Sequence, residues 1–204
     1  MRAILITAGA TRNPIDAMRY ISAHSSGRTG AWLGDALSQA GEVTVLGSPE
    51  ALARCRDGIN CRPFGSTSDL MDKMHAWVLA NPDGVVIHAA AVGDYAVVEA
   101  DGKIPSGQAE LTLTLRPTPK ILDAIRGWSE QIRIISFKAA PPGTDSRGLA
   151  AVAEAQGRRT DSAVVFANVI GQIDSGVLIW TPEGSQQFSQ RTAALGALVN
   201  LVNP

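Results

Sequence analysis

The chain has 204 residues, with 18 lysines and arginines against 19 aspartates and glutamates and a formal net charge of −1. That length fits one fairly large domain with a substantial core. The near-neutral balance, without a basic run, gives no electrostatic case for nucleic acid or a membrane surface as partner. The two cysteines, Cys55 and Cys61, are spaced for neither a metal site nor a disulfide framework, and read as free thiols in a reducing compartment.

The opening MRAILITAG is apolar over too short a run for a signal peptide or a membrane helix, so the expected localisation is cytoplasmic. Ala3–Thr7 reads as a buried parallel strand ending in the turn Ala8-Gly9-Ala10. A polar loop with Thr11, Arg12 and Asn13 follows. The small-residue cluster Ser25-Ser26-Gly27-Arg28-Thr29-Gly30 then feeds a helix over Ala31–Ala40, stopped by Gly41. Two glycine- or serine-rich turns beside one strand end, with a helix start beneath them, make a cradle for an anion. The same glycines equally serve plain tight turns.

Glu42–Leu46 is a second strand, closed by Gly47-Ser48-Pro49, and residues 50–65 are irregular. Thr67 or Ser68 caps a helix over Asp69–Leu79, with Leu70, Met74, Trp77 and Val78 at helical spacing. Val85–Ala91 is the most strand-like run and belongs at the centre of the sheet. The polar stretch 94–107 loosens into a loop, and Glu110–Arg116 alternates as a half-buried strand, a flap or dimer-forming arm. Pro117-Thr118-Pro119 leads into a helix over Lys120–Trp128. Ile132–Phe137 and Ala163–Ala167 are further strands around a helix at Gly148–Gln156. Ser175–Trp180 and Gly184–Ser189 read as a hairpin, and Thr192–Leu201 as an amphipathic helix. The expected fold is α/β: a doubly wound, Rossmann-like parallel sheet in one domain over 1–204, with an inserted β arm at about 95–117 and a C-terminal β-hairpin. A dinucleotide-dependent reductase fits poorly, because the Gly9-Ala10-Thr11 turn lacks GxGxxG spacing and no acid ends the second strand.

The stretch ITAGATRNPIDAMRYISAHSSGRTG resembles the phosphopantothenoylcysteine synthetases (phosphopantothenate–cysteine ligases) of coenzyme A biosynthesis. The likeness continues in HAAAVGDY at 88–95, GKI at 102–104, LTLTLRPTPKIL at 111–122, SFK at 136–138 and FAN at 166–168. That family activates the carboxylate of 4′-phosphopantothenate as an acyl-nucleotide, with CTP in most bacteria and ATP in eukaryotic relatives, and then condenses it with the amine of cysteine. Mg²⁺ and lysine neutralise the triphosphate. The bacterial enzyme is usually fused behind a flavin-binding decarboxylase. This chain looks like the synthetase half standing alone, so no flavin is expected in it. A separate flavoprotein decarboxylase is a possible partner, and the resemblance implies a homodimer whose arm closes each site.

By resemblance, Lys103 and Asp94 are the catalytic candidates. Lys103 would contact the triphosphate, and Asp94 would hold the nucleotide, plausibly through metal-bound phosphates. The nucleotide site would further draw on Gly9, Ala90, Ala91, Thr118, Pro119, Lys120, Ile121, Phe137 and Lys138, with Phe137 flanking the base. Arg12, Asn13, Ser25, Ser26, Gly27 and Arg28 would cradle the phosphates of substrate or nucleotide. Each has a plainer alternative: Asp94 as a solvated turn residue, Lys103 as a surface lysine, Phe137 as core, Thr118–Ile121 as an ordinary helix start. His24 reads as a loop residue, and His88 as a hydrogen-bonded core histidine rather than an acid–base group.

The sequence departs from the family pattern in several places. Ala23 stands where an asparagine supports the second half-reaction, and it offers neither donor nor acceptor. Pro105-Ser106 replaces the second part of the lysine motif. Gln156 and Thr160 stand for a lysine pair, with Arg158 and Arg159 between them as substitutes. Val169 follows FAN where an acid is usual, and Pro141-Pro142 replaces another. Three readings follow: a phosphopantothenate–cysteine ligase with a rearranged second-step site, a homologous acyl-nucleotide-forming ligase for another acid or amine, or a non-catalytic nucleotide- or cofactor-binding homologue.

Overall fold

The computed structural model of the chain describes residues 2–172, 174 and 176–202. The chain opens with β1 (Arg2–Ala8), the short antiparallel hairpin of β2 (Arg12–Pro14) and β3 (Tyr20–Ser22), and α1 (Arg28–Leu37). It continues through β4 (Gly41–Gly47), α2 (Pro49–Leu52), β5 (Asn60–Pro63), α3 (Thr67–Ala80) and β6 (Val85–His88). After β7 (Tyr95–Ala96) and β8 (Arg116–Pro117) come α4 (Ile121–Trp128), β9 (Arg133–Ala140) and α5 (Ser146–Thr160). β10 (Val164–Val169), the hairpin of β11 (Val177–Thr181) and β12 (Gly184–Phe188), and α6 (Arg191–Val202) complete it. The Ser175 end of the expected hairpin lies outside the described residues.

One eight-stranded sheet runs in the order β12-β11-β10-β9-β6-β1-β4-β5. β5, β4, β1, β6, β9 and β10 are parallel, and the C-terminal hairpin adds two antiparallel strands at one edge. The α/β, doubly wound Rossmann-like expectation therefore holds. Strand runs such as Ile4–Ala8 and Val85–His88 are buried on both faces, as a parallel sheet covered by helices requires. Ile6, Val45, Ile87 and Phe166 pack on one face against Leu33 and Leu37 of α1 and Leu198 of α6. On the other face, Leu5, Val86 and Ile134 meet Leu70, Met74 and Val78 of α3 and Ile125 of α4, while α5 covers Val165 and Trp180. The contact of α5 is tight: a Cβ on Gly157 would fall 2.0 Å from the Trp180 ring.

Three expectations need correction. First, Glu110–Arg116 is not a strand; only Arg116–Pro117 pairs, with Tyr95–Ala96, so the β character of the arm is confined to its base. An alternating run forms a strand only when a ladder partner takes its backbone hydrogen bonds, and residues 107–115 have none among the described residues. Leu111, Leu113 and Leu115 are 44%, 36% and 47% exposed. Second, Ser66 rather than Thr67 or Ser68 caps α3: its hydroxyl accepts from the Asp69 amide at 3.2 Å, because the Thr67 hydroxyl turns inward to Thr11. Third, the stretch read as irregular at 50–65 carries α2 and the edge strand β5.

Candidate functional site

In a doubly wound sheet the crevice opens beyond the carboxyl ends of the strands where the winding reverses, here between β1 and β6. Gly9 leaves β1 at φ 89° and Gly27 precedes α1 at φ 71°, both in the left-handed region that favours glycine. A Cβ on Gly9 would lie 2.2 Å from Ser48 Oγ; one on Gly27 would lie 2.2 Å from Ala51 Cβ and 3.1 Å from the Gly9 nitrogen. The two turns therefore abut. Gly27 is also the N-cap of α1 and provides no side-chain acceptor, and the first turn of α1 has no acid. Helix N-terminal amides without an internal acceptor favour an anion. Arg28, the first residue of α1, is exposed. Ser25 and Ser26 lead into this turn, where Ser25 Oγ accepts from the Gly27 amide and the Ser26 carbonyl from Arg54.

Beyond β6 the chain stays fastened to the β1 turn. The Ala91 amide donates to the Gly9 carbonyl at 2.8 Å and the Thr11 amide to the Ala91 carbonyl at 3.1 Å, which leaves Ala90 beside the crevice. Thr11 Oγ1 accepts from the Gly93 amide at 2.9 Å and from Thr67 at 3.2 Å. Asn13 is buried, its carbonyl oxygen taking the Thr67 amide and its Nδ2 donating to the Tyr95 carbonyl. Its amide thus fastens three segments together rather than facing open space. Arg12 lies over the Tyr20 ring and pairs with Glu50, whose carboxyl is held below its ordinary pKa by its own backbone amide, Ser48 and Arg12.

Asp94 and Lys120 face each other across the crevice edge as an ion pair at 2.5 Å. Their side chains are 65% and 59% exposed, so water screens the pair. The Thr118 amide donates to the Asp94 carbonyl at 2.9 Å and its hydroxyl to the Gly93 carbonyl at 2.6 Å. Pro119 and Lys120 then open α4 at Ile121 without a side-chain cap. Lys103 is exposed, in a loop seated on the β2–β3 hairpin through Gly102 and Ile104. Its ammonium engages no carboxylate among the described residues.

At the end of β9 the alternation separates two expected neighbours. Phe137 packs on the α1 face against Phe166, ring centroids 4.9 Å apart, whereas Lys138 points to the opposite face. Gln156 Nε2 donates to Ser136 Oγ at 2.9 Å and to the Phe137 carbonyl at 3.1 Å, and Thr160, Ser162 and Ser136 close a buried hydroxyl network. Arg158 and Arg159 sit on the outer surface of α5, paired with Glu154 and Asp123.

The sequence reading missed Arg191 and Asp16. Arg191, at the start of α6, donates to Thr29 Oγ1 at 3.0 Å and to Asn168 Oδ1 at 3.4 Å and lies over the Phe166 ring. Burial lowers its pKa and the nearby Arg28 lowers it further, against Asp174. An arginine just outside an apolar helix was the available signal. Asp16, in the β2–β3 turn, hid among ordinary turn residues. His88 is buried, shares a 3.0 Å hydrogen bond with Thr7 Oγ1, and is pushed down by burial to about 4. It is neutral core at pH 7. Cys55, unbridged beside Cys61, is pushed up to about 12 by burial and by Cys61, which leaves a protonated, unreactive thiol.

The chain matches the DNA/pantothenate metabolism flavoprotein C-terminal domain family over residues 1–202. A coenzyme A biosynthesis bifunctional protein CoaBC from Thermococcus kodakarensis is 34% identical over 169 residues, 82% of this chain and 41% of that protein. The chain thus spans about two fifths of the length of that relative. The crystal structure of the DNA/pantothenate metabolism flavoprotein from Streptococcus pneumoniae superposes with a TM-score of 0.88 at 25% identity, covering 99% of this chain and 98% of that one. A mutant of Cab2 in complex with phosphopantothenate-cysteine shares the fold with a TM-score of 0.77 at 19% identity, over 98% of this chain and 87% of that one. The landmarks from ITAGATRN to FAN, the reversal of winding beside Gly9 and this match agree, and the chain belongs to the DNA/pantothenate metabolism flavoprotein C-terminal domain family, that of the phosphopantothenoylcysteine synthetases.

Proposed function

We propose that the chain is a nucleotide-dependent ligase that activates the carboxylate of phosphopantothenate as an acyl-nucleotide and condenses it with the amine of cysteine. The observation that carries this reading is that the Gly9 and Gly27 turns abut at the carboxyl end of β1, with Ala91 bonded to Gly9 three residues before the Asp94–Lys120 pair. Two anions, a carboxylate and a triphosphate, must be held in line there, and backbone amides with flanking cations suit that task. Lys103 neutralises the triphosphate. Gly9, Ser25, Ser26, Gly27 and Arg28 receive phosphate, with Arg12 held at the rim by Glu50. Phe137 borders the base, and Thr118, Pro119, Lys120 and Ile121 frame the nucleotide. The described residues contain no group of three or more His, Cys, Asp or Glu side chains able to hold a metal. On this reading Mg²⁺ would be held by the triphosphate oxygens, with Asp94 meeting it through those phosphates. CTP and ATP both remain candidate co-substrates. Lys138, on the face away from Phe137, is a further candidate for the nucleotide.

The exposed leucines of the arm support a homodimer in which a second copy covers residues 107–115. No helix among the described residues is long and apolar enough to cross a membrane. From the family resemblance, the proposal places the protein in the cytoplasm, with a flavoprotein decarboxylase supplying the preceding half of the pathway in trans or in the same chain. The test is pyrophosphate release with Mg²⁺, phosphopantothenate and either nucleotide, with and without cysteine. Release with cysteine and a product heavier by one cysteinyl residue is expected. Release that stops near one equivalent would mean that Ala23 has disabled the amine step, and no release with either nucleotide refutes the ligase. Lys103→Ala is expected to abolish release with the fold intact.

A further inference from the structure

We propose that Asp16 is a positioning residue: its carboxylate clips the Gly102–Ile104 loop onto the β2–β3 hairpin and so fixes where Lys103 stands. The inference rests on the reading of Lys103 as a triphosphate ligand.

An aspartate in a surface turn is ordinarily solvated, but the Asp16 side chain is fully buried. Its two oxygens have separate tasks. Oδ1 accepts from the Met18 and Arg19 amides, each at 2.9 Å, which is the work of an aspartate that shapes its own turn. Oδ2 takes Arg19 Nε at 3.0 Å, Arg19 Nη2, and the Ile104 amide at 3.0 Å. Arg19 Nη2 also donates to the Ile104 carbonyl at 2.8 Å, so the ion pair grips that residue at both backbone groups. The Ala17 amide donates to the Gly102 carbonyl at 3.2 Å and the Ala100 amide to the Ile15 carbonyl at 3.0 Å. Lys103 thus lies between two anchored residues with its own side chain in solvent. The turn needs only Oδ1. The second oxygen is committed to a segment 88 residues away, and nothing in the turn's geometry calls for that. The Arg19 side chain, with the amides, holds the Asp16 carboxyl well below the ordinary range, so the clip carries its charge at neutral pH. The hairpin itself joins the Thr11 turn to the Ser25–Arg28 cradle, so the clip ties the lysine loop to the segment that carries the phosphate-binding turn.

Asp16→Asn separates the two tasks. Its carbonyl oxygen can replace Oδ1 and keep the turn, while its amide nitrogen would then face the Arg19 and Ile104 N–H groups, donors against donors. Losing a charge-assisted hydrogen bond corresponds to roughly tenfold or more in a local opening equilibrium. Trypsin cleavage at the Lys103–Ile104 bond of the full chain should therefore accelerate roughly tenfold, more than at any other site, with the melting midpoint lowered by only about 3–6 °C. Mg²⁺-dependent pyrophosphate release should lose kcat by a similar factor, with the nucleotide KM changing less. Unchanged cleavage at Lys103 overturns the clip. Faster cleavage with unaltered release overturns the positioning role; if Lys103→Ala is then equally silent, the fault lies in the reading of Lys103. Should Asp16→Asn fail to fold, the unmodified protein supplies the check. The Ile104 amide, bonded to a buried carboxylate, should exchange with solvent far more slowly than the Lys103 amide, and equal rates refute the proposal.

Discussion

The two glycine turns beside β1 and the segment from Tyr95 to Pro117 leave the same edge of the sheet and are held in opposite ways. Around Gly9 and Gly27 every neighbour is close enough that a single methyl group has no room, and Thr11, Ser48 and Asn13 complete the packing with hydrogen bonds. The arm is fastened at its base by two residue pairs and at 100–104 by the hairpin clip, and residues 105–115 are exposed throughout. A phosphate cradle needs its amides fixed in advance, because reorganising them on binding would consume the interaction. A segment that must admit a substrate or meet a second copy needs the reverse. On the proposed ligase reading, close packing at the cradle and exposure of the arm would be two demands of one site.

The sharpest way to break this contrast is at Gly27. Alanine there combines a left-handed backbone with a Cβ 2.2 Å from Ala51 Cβ and 2.8 Å from its Cα, neither of which can rotate away. Gly27→Ala is expected to destabilise the protein by about 3 kcal/mol, read as a lower denaturation midpoint, and to abolish nucleotide binding. A Gly107→Ala substitution in the arm meets a positive φ but no atom within 4 Å, so it should cost about 1 kcal/mol or less. Equal effects at the two positions would refute the contrast.

A second difference is in titration. The arm is exposed, whereas His88 is buried at the end of β6, where burial keeps it neutral until about pH 4. The unfolded chain takes up that proton at about 6.5 and the folded chain only near 4, so the unfolded state binds more protons between these values. Stability supplied by the neutral histidine is present above pH 6.5 and is lost as pH falls, reaching roughly 3 kcal/mol near pH 4. Urea unfolding at pH 7.5, 5.5 and 4.5 measures the slope, and His88→Gln should flatten it. A slope unchanged in that variant would place the acid sensitivity elsewhere.

The sheet was legible because Ile4–Thr7, Val43–Leu46 and Val85–His88 carry runs that only a covered parallel strand can bury. The glycine turns were legible because backbone geometry, not side-chain chemistry, selects glycine there. The arm misled for a physical reason: ELTLTLR has strand periodicity, but periodicity specifies a partner that none of the described residues provides. Asp16 was not legible, and Arg191 offered only its place beside an apolar helix, since each acts through a contact with a segment far away in sequence. The role of Gln156 was hidden likewise, because its partners Ser136 and the Phe137 carbonyl sit on another strand.

Thr118 stands where the two regions join, and it should give an intermediate effect. Thr118→Val removes the 2.6 Å hydroxyl bond to the Gly93 carbonyl while keeping the backbone bond to Asp94. About 1 kcal/mol of stability should be lost. Hydrogen exchange should show earlier opening of 94–96 and 116–118 with protection of β1 and β6 unchanged. Opening that spreads into β6 would mean that the arm and the crevice form one cooperative unit.

The smallest effect on the folded chain is expected at Leu113, and it is the most informative about the arm. Leu113 is 36% exposed and belongs to none of the buried clusters. Leu113→Ser should therefore change the stability of the monomer by no more than about 0.5 kcal/mol, measured at a dilution where only monomer is present. An apolar alternation retained without an internal partner implies an external one, and exposed leucines in a row suit an apolar interface between copies. Sedimentation velocity at higher concentration should then show the variant shifted towards monomer relative to the unaltered chain. If stability falls by 2 kcal/mol or more at monomer dilution, Leu113 is core and the arm is as fixed as the cradle. If neither stability nor association changes, the alternation serves the bound substrate rather than a second copy, and pyrophosphate release is the property that Leu113→Ser should lower.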